Sequence, residues 1–259
     1  MLESETALHF VVPGNPDQNT GGYRYVRKLS EALNRAGTKA VVTGLPGRFP
    51  RPDAVATQAM DNMLSNLANG SRVILDGLAM SAMPDVLENH AQRLHLTALV
   101  HHPLADETGL SQSSQDWFFE REKQALKIVR DVFTTSAYTA SRLADYGVAA
   151  ARIQTAEPGV ESPVGSLLQA DPDASFALNQ RPGGPHILCV AHLSPRKAQH
   201  DLVEALAGLG ELPWLCTLAG SCERDPAYAD AVRQQIDESG LSDRIHIAGE
   251  VDGEKLANL

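Results

Sequence analysis

Short apolar runs alternate with amphipathic stretches along most of the chain. A first strand is predicted at residues 7–12, followed by a turn and by a helix at about residues 21–36, in which Val26, Leu29 and Leu33 recur at helical spacing. Gly37 closes this helix as a C-cap glycine would. Further strands are predicted at residues 39–43, 73–76, 97–101 and 131–135. Further helices are predicted at residues 55–67, 117–129 and 138–146, the last capped by Ser136 and stopped by Gly147. This alternation indicates a parallel sheet covered on both faces.

The composition changes between residues 157 and 185, where proline and glycine recur and the apolar periodicity fades. Alternation then restarts, with strands predicted at residues 186–191, 215–219 and 245–248 and helices at about residues 198–209 and 228–239. We therefore predict an N-terminal Rossmann-like domain over residues 1–160, a linker over residues 161–185 and a C-terminal domain over residues 186–259. Because the chain stops a few residues into another predicted helix, we expect this second domain to be incomplete.

Composition and charge narrow the function classes. Hydrophobic residues make up 43% of the chain and charged residues 21%, which is typical of a soluble globular protein. The net charge of −10 argues against a nucleic-acid partner. A small anionic ligand remains compatible with it, because one helix terminus and one or two cations suffice locally. The chain carries neither a signal peptide nor an apolar membrane span, so we expect a cytoplasmic protein.

The loop after the first predicted strand is the first candidate binding segment. It contains neither the dinucleotide fingerprint GxGxxG nor the phosphate-binding pattern GxxxxGK[ST]. Gly21 and Gly22 stand at the start of the following helix, where backbone N–H groups can approach an anion closely. The alternative is a flexible loop with a glycine helix cap.

Polar side chains at two further strand ends are the next candidates. His101, followed by His102, could hydrogen-bond a ligand or act as an acid or base. Asp76 could meet an acceptor hydroxyl, or it could be an ordinary turn aspartate. We do not expect a metal at the two histidines, because neighbours on an extended chain point in opposite directions and no zinc-ligand spacing completes the set.

The segment from Val190 to Lys197 is the third candidate. It places His192, Arg196 and Lys197 where a predicted strand passes into a helix. Two cations beside a helix N-terminus favour a nucleotide diphosphate as ligand. The alternative is a pair of solvated surface charges.

In this order and at these distances, the segments resemble the GT-B glycosyltransferases of family 4, also described as glycosyl transferases group 1. The resemblance rests on residues 21–22, 100–104, 120–121, 125–126, 134–139, 157–161 and, most specifically, 187–197. It implies an α/β fold of GT-B type, with two Rossmann-like parallel-sheet domains. It also implies a retaining transfer of a sugar from a nucleotide diphosphate-sugar donor to a saccharide or lipid-linked acceptor, without a metal or other cofactor.

The resemblance also implies roles for individual residues. Gly22, with Gly21 opening the same turn, would offer its backbone N–H to the donor diphosphate. His101 would sit near the transferred sugar, and Lys197, beside Arg196, would neutralise the diphosphate leaving group. Asp76 and His102 are candidates on the acceptor side, which lies in the first domain.

The chain departs from the family pattern at two places. His192 stands where the family normally has an arginine, so one of the two phosphate cations is replaced by a residue that is neutral or pH-dependent. The family's Glu-x7-Glu segment, which holds the ribose and sugar of the donor, would lie beyond Leu259.

These departures leave a second reading open: a catalytically inactive remnant that acts as a binding or self-associating module, with a second copy of the chain as partner. Under the first reading, a lipid-linked acceptor would bring the protein to the inner face of the membrane as a peripheral protein. A Rossmann oxidoreductase or epimerase is disfavoured, because the dinucleotide fingerprint is missing.

Overall fold

The computed structural model of the chain describes residues 7–159, residues 184–251 and Leu256. The chain divides into two compact units, Met1–Gly159 and Val160–Leu259. Most of the predicted linker and nearly all of the last predicted helix lie outside the described residues, as do Val160 and Glu161 of the segment 157–161.

The first unit is built on a six-stranded parallel sheet with the strand order β2-β1-β3-β4-β5-β6. Its strands are β1 (Leu8–Pro13), β2 (Ala40–Leu45), β3 (Arg72–Asp76), β4 (His95–Val100), β5 (Asp131–Thr134) and β6 (Ile153–Thr155). The predicted α/β class with a parallel sheet is confirmed. The strand order reverses between β1 and β3, which is where open sheets of this kind bind ligands.

Helices cover both faces of this sheet. They are α1 (Gly21–Arg35), α2 (Ala54–Ser65), α3 (Gly77–Met80), α4 (Pro84–Ala91), α5 (Gln112–Ile128) and α6 (Ala137–Arg142). Alternate residues of β1 belong to different cores: Phe10 and Val12 pack with Val26 of α1, whereas Val11 packs with Met60 of α2. This alternation follows from the two-residue period of a strand and fixes α1 on one face and α2 on the other.

The second unit contains a three-stranded parallel sheet in the order β7-β8-β9. Its elements are β7 (His186–Val190), α7 (Gln199–Ala207), β8 (Leu215–Ala219), α8 (Pro226–Glu238) and β9 (Ile245–Gly249). Both helices pack on one core, in which Val203 of α7 and Val232 of α8 meet Cys216 and Leu218 of β8.

Several predicted boundaries were wrong, and each has a local cause. Strand β4 ends at Val100, so His101 begins the following loop. Helix α5 starts five residues before the predicted position, because Ser111 caps it by accepting a hydrogen bond from the backbone N–H of Ser114 (3.3 Å). Helix α6 ends at Arg142 and continues as turns to Gly147. The predicted cap at Ser136 is confirmed, since its hydroxyl accepts from the backbone N–H of Thr139 (3.1 Å).

Within the described ranges, no helix is both long enough and apolar enough to cross a membrane.

Candidate functional site

Three strand ends of the first unit carry the predicted site residues. Strands β1, β3 and β4 are consecutive in the sheet, and their carboxyl ends therefore lie side by side. The loop to Gly21 and Gly22 follows β1, Asp76 is the last residue of β3, and His101 directly follows β4. The sheet thus brings together four residues that are up to 80 positions apart in the sequence.

His101 is the centre of this group. Its Nε2 atom lies 3.4 Å from Oδ2 of Asp76, and its side chain is 24% exposed. A Cβ atom added to Gly22 would lie 3.4 Å from the His101 ring, at ordinary contact distance, so the imidazole lies directly beside the start of α1. Tyr25 meets the ring edge-on, with ring centroids 5.5 Å apart. The hydroxyl of Thr139 donates to the carbonyl of His101 (3.2 Å) and holds its backbone.

The Nε2 atom of His101 is buried; Oδ2 of Asp76 lies 3.4 Å from it but is not aligned for a hydrogen bond, and Nε2 makes no hydrogen bond among the described residues. Buried polar atoms in proteins are almost always hydrogen-bonded, so an unpartnered one at the ligand-binding edge of a sheet indicates a contact to a ligand. The Nε2 atom of His102 is buried and unpartnered in the same part of the structure.

Asp76 has two functions that are divided between its carboxylate oxygens. Its Oδ1 accepts a hydrogen bond from the backbone N–H of Leu78 (2.8 Å) and so caps the short helix α3. Its Oδ2 faces His101. The turn contact that was expected as one alternative for Asp76 is therefore present, and this cap fixes the position of the carboxylate beside the imidazole.

The loop after β1 is held against β2 by close backbone contact. The N–H of Gly14 donates to the carbonyl of Leu45 (2.7 Å), and a Cβ atom on Gly44 would lie only 2.0 Å from the carbonyl oxygen of Gly14. The hydroxyl of Tyr23 donates back to the carbonyl of Pro13 (2.6 Å). These contacts fix the path of the chain that leads to Gly21 and Gly22.

Glu122 of α5 is a residue of this site that the sequence analysis missed. It is fully buried; its Oε1 accepts from the hydroxyl of Ser81 (2.7 Å) and its Oε2 from the backbone N–H of Leu104 (3.0 Å). Ser81 directly follows α3, which Asp76 caps, and Leu104 lies three residues after His101. One carboxylate therefore ties together the two segments that carry Asp76 and His101.

A sequence signal for Glu122 existed. Glu122 shares the buried face of α5 with Phe118, Ala125 and Leu126. These residues lie at the three- and four-residue spacings that place side chains on one face of a helix. A carboxylate inside the apolar stripe of a helix requires partners, and its burial raises the pKa of Glu122 to about 7.

In the second unit, His192, Arg196 and Lys197 lie in the loop between β7 and α7. Arg196 and Lys197 belong to a single 3-10 turn, Pro195–Lys197, and are exposed at the start of α7. Burial raises the pKa of the Cys189 thiol in β7, and the ammonium group of Lys197 partly opposes this, which places the cation near the end of that strand.

Three contacts hold the shape of this loop. The buried side chain of Gln199 donates to the carbonyl of His192 (3.1 Å). Gly220, after β8, passes so close to the chain after β7 that an added Cβ would lie 2.0 Å from the carbonyl oxygen of Ala191. The N–H of Leu193 also donates to the carbonyl of Ser221 (3.0 Å). The candidate cations are therefore presented by a loop that is fixed at both ends.

The predicted site residues thus fall into two groups. Gly21, Gly22, Asp76, His101 and His102 belong to the first unit, whereas His192, Arg196 and Lys197 belong to the second. Across the parts of the chain that the structure describes, no cluster of three or more His, Cys, Asp or Glu side chains is arranged to hold a metal ion.

Comparison with known proteins agrees with this architecture. Residues 171–259 match the sequence profile of the family described as glycosyl transferases group 1. No curated protein matches the chain significantly.

Solved structures with a similar fold include sucrose-phosphate synthase from Thermosynechococcus elongatus, with 20% identity and a TM-score of 0.70 over 97% of this chain and 72% of that one. A glycosyltransferase from Rickettsia africae ESF-5 has 16% identity and a TM-score of 0.64 over 97% of this chain and 70% of that one. Anabaena HepE in complex with UDP-glucose has 15% identity and a TM-score of 0.60 over 95% of this chain and 70% of that one. The chain therefore has the GT-B fold, and its residues 171–259 match the family of glycosyl transferases group 1.

Proposed function

We propose that this protein transfers a sugar from a nucleotide diphosphate-sugar to a saccharide or lipid-linked acceptor, with retention of the anomeric configuration. The observation that carries the proposal is the buried, unpartnered Nε2 of His101 beside Asp76 and Gly22, at the strand-order reversal of a GT-B fold. The UDP-glucose named for HepE supports a nucleotide-sugar as the class of donor.

Within the second unit, the loop after β7 is assigned to the donor diphosphate, where Lys197 and Arg196 stabilise the negative charge that develops on the leaving group. Within the first unit, the backbone N–H of Gly22 at the start of α1 is assigned to a phosphate oxygen. His192, in place of the usual arginine, contributes a hydrogen bond and a charge that depends on pH.

His101 and Asp76 act at the sugar. The imidazole of His101 hydrogen-bonds a hydroxyl of the transferred sugar and orients it, while the carboxylate of Asp76, 3.4 Å from Nε2, is available to the acceptor hydroxyl. The bond between the anomeric carbon and the diphosphate oxygen breaks and leaves positive charge on the carbon. The acceptor oxygen forms the new bond on the same face, and its hydroxyl proton passes to the departing diphosphate oxygen. His102 lines the acceptor side in this assignment.

The test combines binding and turnover. We expect UDP-, ADP- or GDP-sugars to raise the melting temperature of the wild type, and the wild type to release nucleoside diphosphate when acceptor saccharides are added. The His101→Ala variant should keep the donor-induced stabilisation but lose about 100-fold or more in turnover, because a positioned polar group contributes on that scale.

The matched control is His95→Ala, at the amino end of the same strand β4, which should leave turnover within about twofold of wild type. Stabilisation by none of the nucleotide-sugars would reject the proposal and favour the reading as an inactive binding module.

A further inference from the structure

A cavity of about 430 Å³ opens on the first unit, outside the group around His101. It is lined by Arg51, Thr57, Met83, Asp85, Trp117 and Arg121. Arg51, Thr57, Met83 and Asp85 lie in or just before the first turns of α2 and α4, and Trp117 and Arg121 lie in the second and third turns of α5; these helices follow β2, β3 and β4 in the chain. Helices that follow parallel strands begin at the carboxyl edge of the sheet, so the cavity lies at the same edge as Asp76 and His101.

Arg51 gives this cavity an uncompensated positive charge. Its guanidinium lies over the ring of Trp117, 4.4 Å from the centroid, and 5.1 Å from the centroid of Phe118. It donates to the hydroxyl of Ser114 (3.1 Å), and within residues 7–159 and 184–251 no carboxylate pairs with it. Stacking on two aromatic rings holds the planar group in place and leaves N–H donors for an anion.

The second cation of the cavity is already neutralised. Arg121 donates to the carbonyl of Ala82 (3.1 Å) and to Oδ2 of Asp85 (2.8 Å). The side chains of Arg51, Arg121 and Asp85 together carry one net positive charge, in a chain whose net charge is −10. Anionic ligands are thus attracted to this cavity against the overall charge of the protein.

The remaining lining suits a sugar ring. Trp117 is half-buried and Met83 is buried, so they offer apolar surface, while Thr57 adds a hydroxyl. The volume lies within the range of small-molecule pockets, roughly 300–1,000 Å³.

We propose that this cavity is the acceptor site and that the acceptor is a saccharide bearing a phosphate or carboxylate group, which Arg51 binds. The name "acceptor site" rests on the proposed function; the binding of an anionic saccharide does not. Two residues that line the cavity, Ala82 and Arg121, are sequence neighbours of Ser81 and Glu122. Ser81 and Glu122 are joined by the 2.7 Å hydrogen bond, which connects the cavity to the site around His101.

The test uses the fluorescence of Trp117 in the full chain, titrated with glucose 6-phosphate, glucuronate and glucose. We expect saturable changes with both charged sugars and at least tenfold weaker binding of glucose. Arg51→Gln should weaken the binding of the charged sugars by about tenfold or more, because it removes a charge-assisted hydrogen bond, and should leave the binding of glucose unchanged. Trp117→Phe should remove the signal, which assigns it to this tryptophan and not to Trp214.

Arg48→Gln is the matched control: Arg48 lies in the same loop but pairs with Asp53 (3.4 Å) and does not line the cavity. The proposal is overturned if glucose binds as tightly as glucose 6-phosphate, if inorganic phosphate alone does so, if no charged sugar binds, or if Arg51→Gln has no effect. UDP binding is measured on the same samples to separate the two proposals. If the wild type binds glucose 6-phosphate but not UDP, only the proposed donor chemistry is rejected.

Discussion

At the scale of single residues, Glu122 shows how a buried charge can hold a site together. Desolvation is the main cause of its raised pKa; the carboxylate of Asp106 acts in the same direction, while the hydrogen bonds from Ser81 and Leu104 oppose it. Tyr146 also faces it, and Asp106 is itself held by Arg142 through a hydrogen bond of 2.8 Å. The two donors favour the ionised form, and burial favours the neutral one.

The first prediction concerns stability against pH. Because the folded pKa of Glu122, about 7, lies above its usual value of 4.5, its contribution to stability is complete below pH 4.5 and is lost as the pH rises towards 7. Glu122→Gln removes this titration and can keep both contacts, with the amide oxygen accepting from the backbone N–H of Leu104 and the amide nitrogen donating to the hydroxyl oxygen of Ser81. The free energy of unfolding of Glu122→Gln, relative to wild type, should therefore rise by roughly 2–3 kcal/mol between pH 5 and pH 8.

Denaturant titrations at the two pH values measure this difference. Glu120→Gln, an exposed neighbour on the same helix, serves as the control and should show no comparable pH dependence. A difference between wild type and Glu122→Gln that is the same at both pH values would contradict the assigned pKa.

At the scale of elements, strongly patterned segments could be predicted from the sequence, and short or edge elements could not. Strands β1, β3, β4 and β8 are buried and apolar, and their positions were found within about two residues. Strand β6 has only three residues, Ile153–Thr155, too few to establish a period. Helix α4 went unnoticed because its eight residues combine Pro84 and Asp85 at the start with a short apolar stripe.

The same limit applies to the site. Strand-end residues such as His101 and Asp76 could be chosen because parallel strands place their carboxyl ends together. The contact between Oδ2 of Asp76 and the imidazole depends on the cap of α3, a helix of four residues that leaves no periodic pattern. The cavity at Arg51 forms where three helices pack together. Contacts between helices that are far apart in the sequence cannot be predicted from local sequence patterns.

A prediction at this scale concerns the contact between the ends of β7 and β8. Gly220→Ala would place a Cβ 2.0 Å from the carbonyl oxygen of Ala191, so the loop that carries Arg196 and Lys197 must shift. We expect a loss of about 1–3 kcal/mol in stability and a clear weakening of UDP binding.

Gly208→Ala is the matched control in the same unit, because its φ is −68° and its nearest contact is 3.4 Å. Calorimetry and UDP titration of both variants make the comparison. Wild-type stability and UDP affinity in Gly220→Ala would show that the close approach does not shape the loop.

At the scale of the whole molecule, an acidic protein presents cations at the strand ends of both compact units. The net charge of −10 repels nucleotides and charged sugars at long range, and salt screens this repulsion over about 10 Å at 0.1 M. Binding of an anion must therefore come from local groups: Arg51 in the first unit, and Arg196 and Lys197 in the second. In our proposals, Arg51 binds the acceptor, and Arg196 and Lys197 bind the donor.

The last prediction tests that division by crossing two variants with two ligands. Lys197→Ala should weaken UDP binding by about 10- to 100-fold, since it removes a charge-assisted contact, and should leave the binding of glucose 6-phosphate within about twofold. Arg51→Gln should do the reverse. Because the two residues belong to different units and have no described partner in common, the double variant should show both losses, additive to within about 0.5 kcal/mol.

Isothermal titration of the four proteins with each ligand measures all eight affinities. A Lys197→Ala variant that loses glucose 6-phosphate as strongly as UDP would mean that both anions compete for one site, and the assignment of donor and acceptor to separate units would then be wrong.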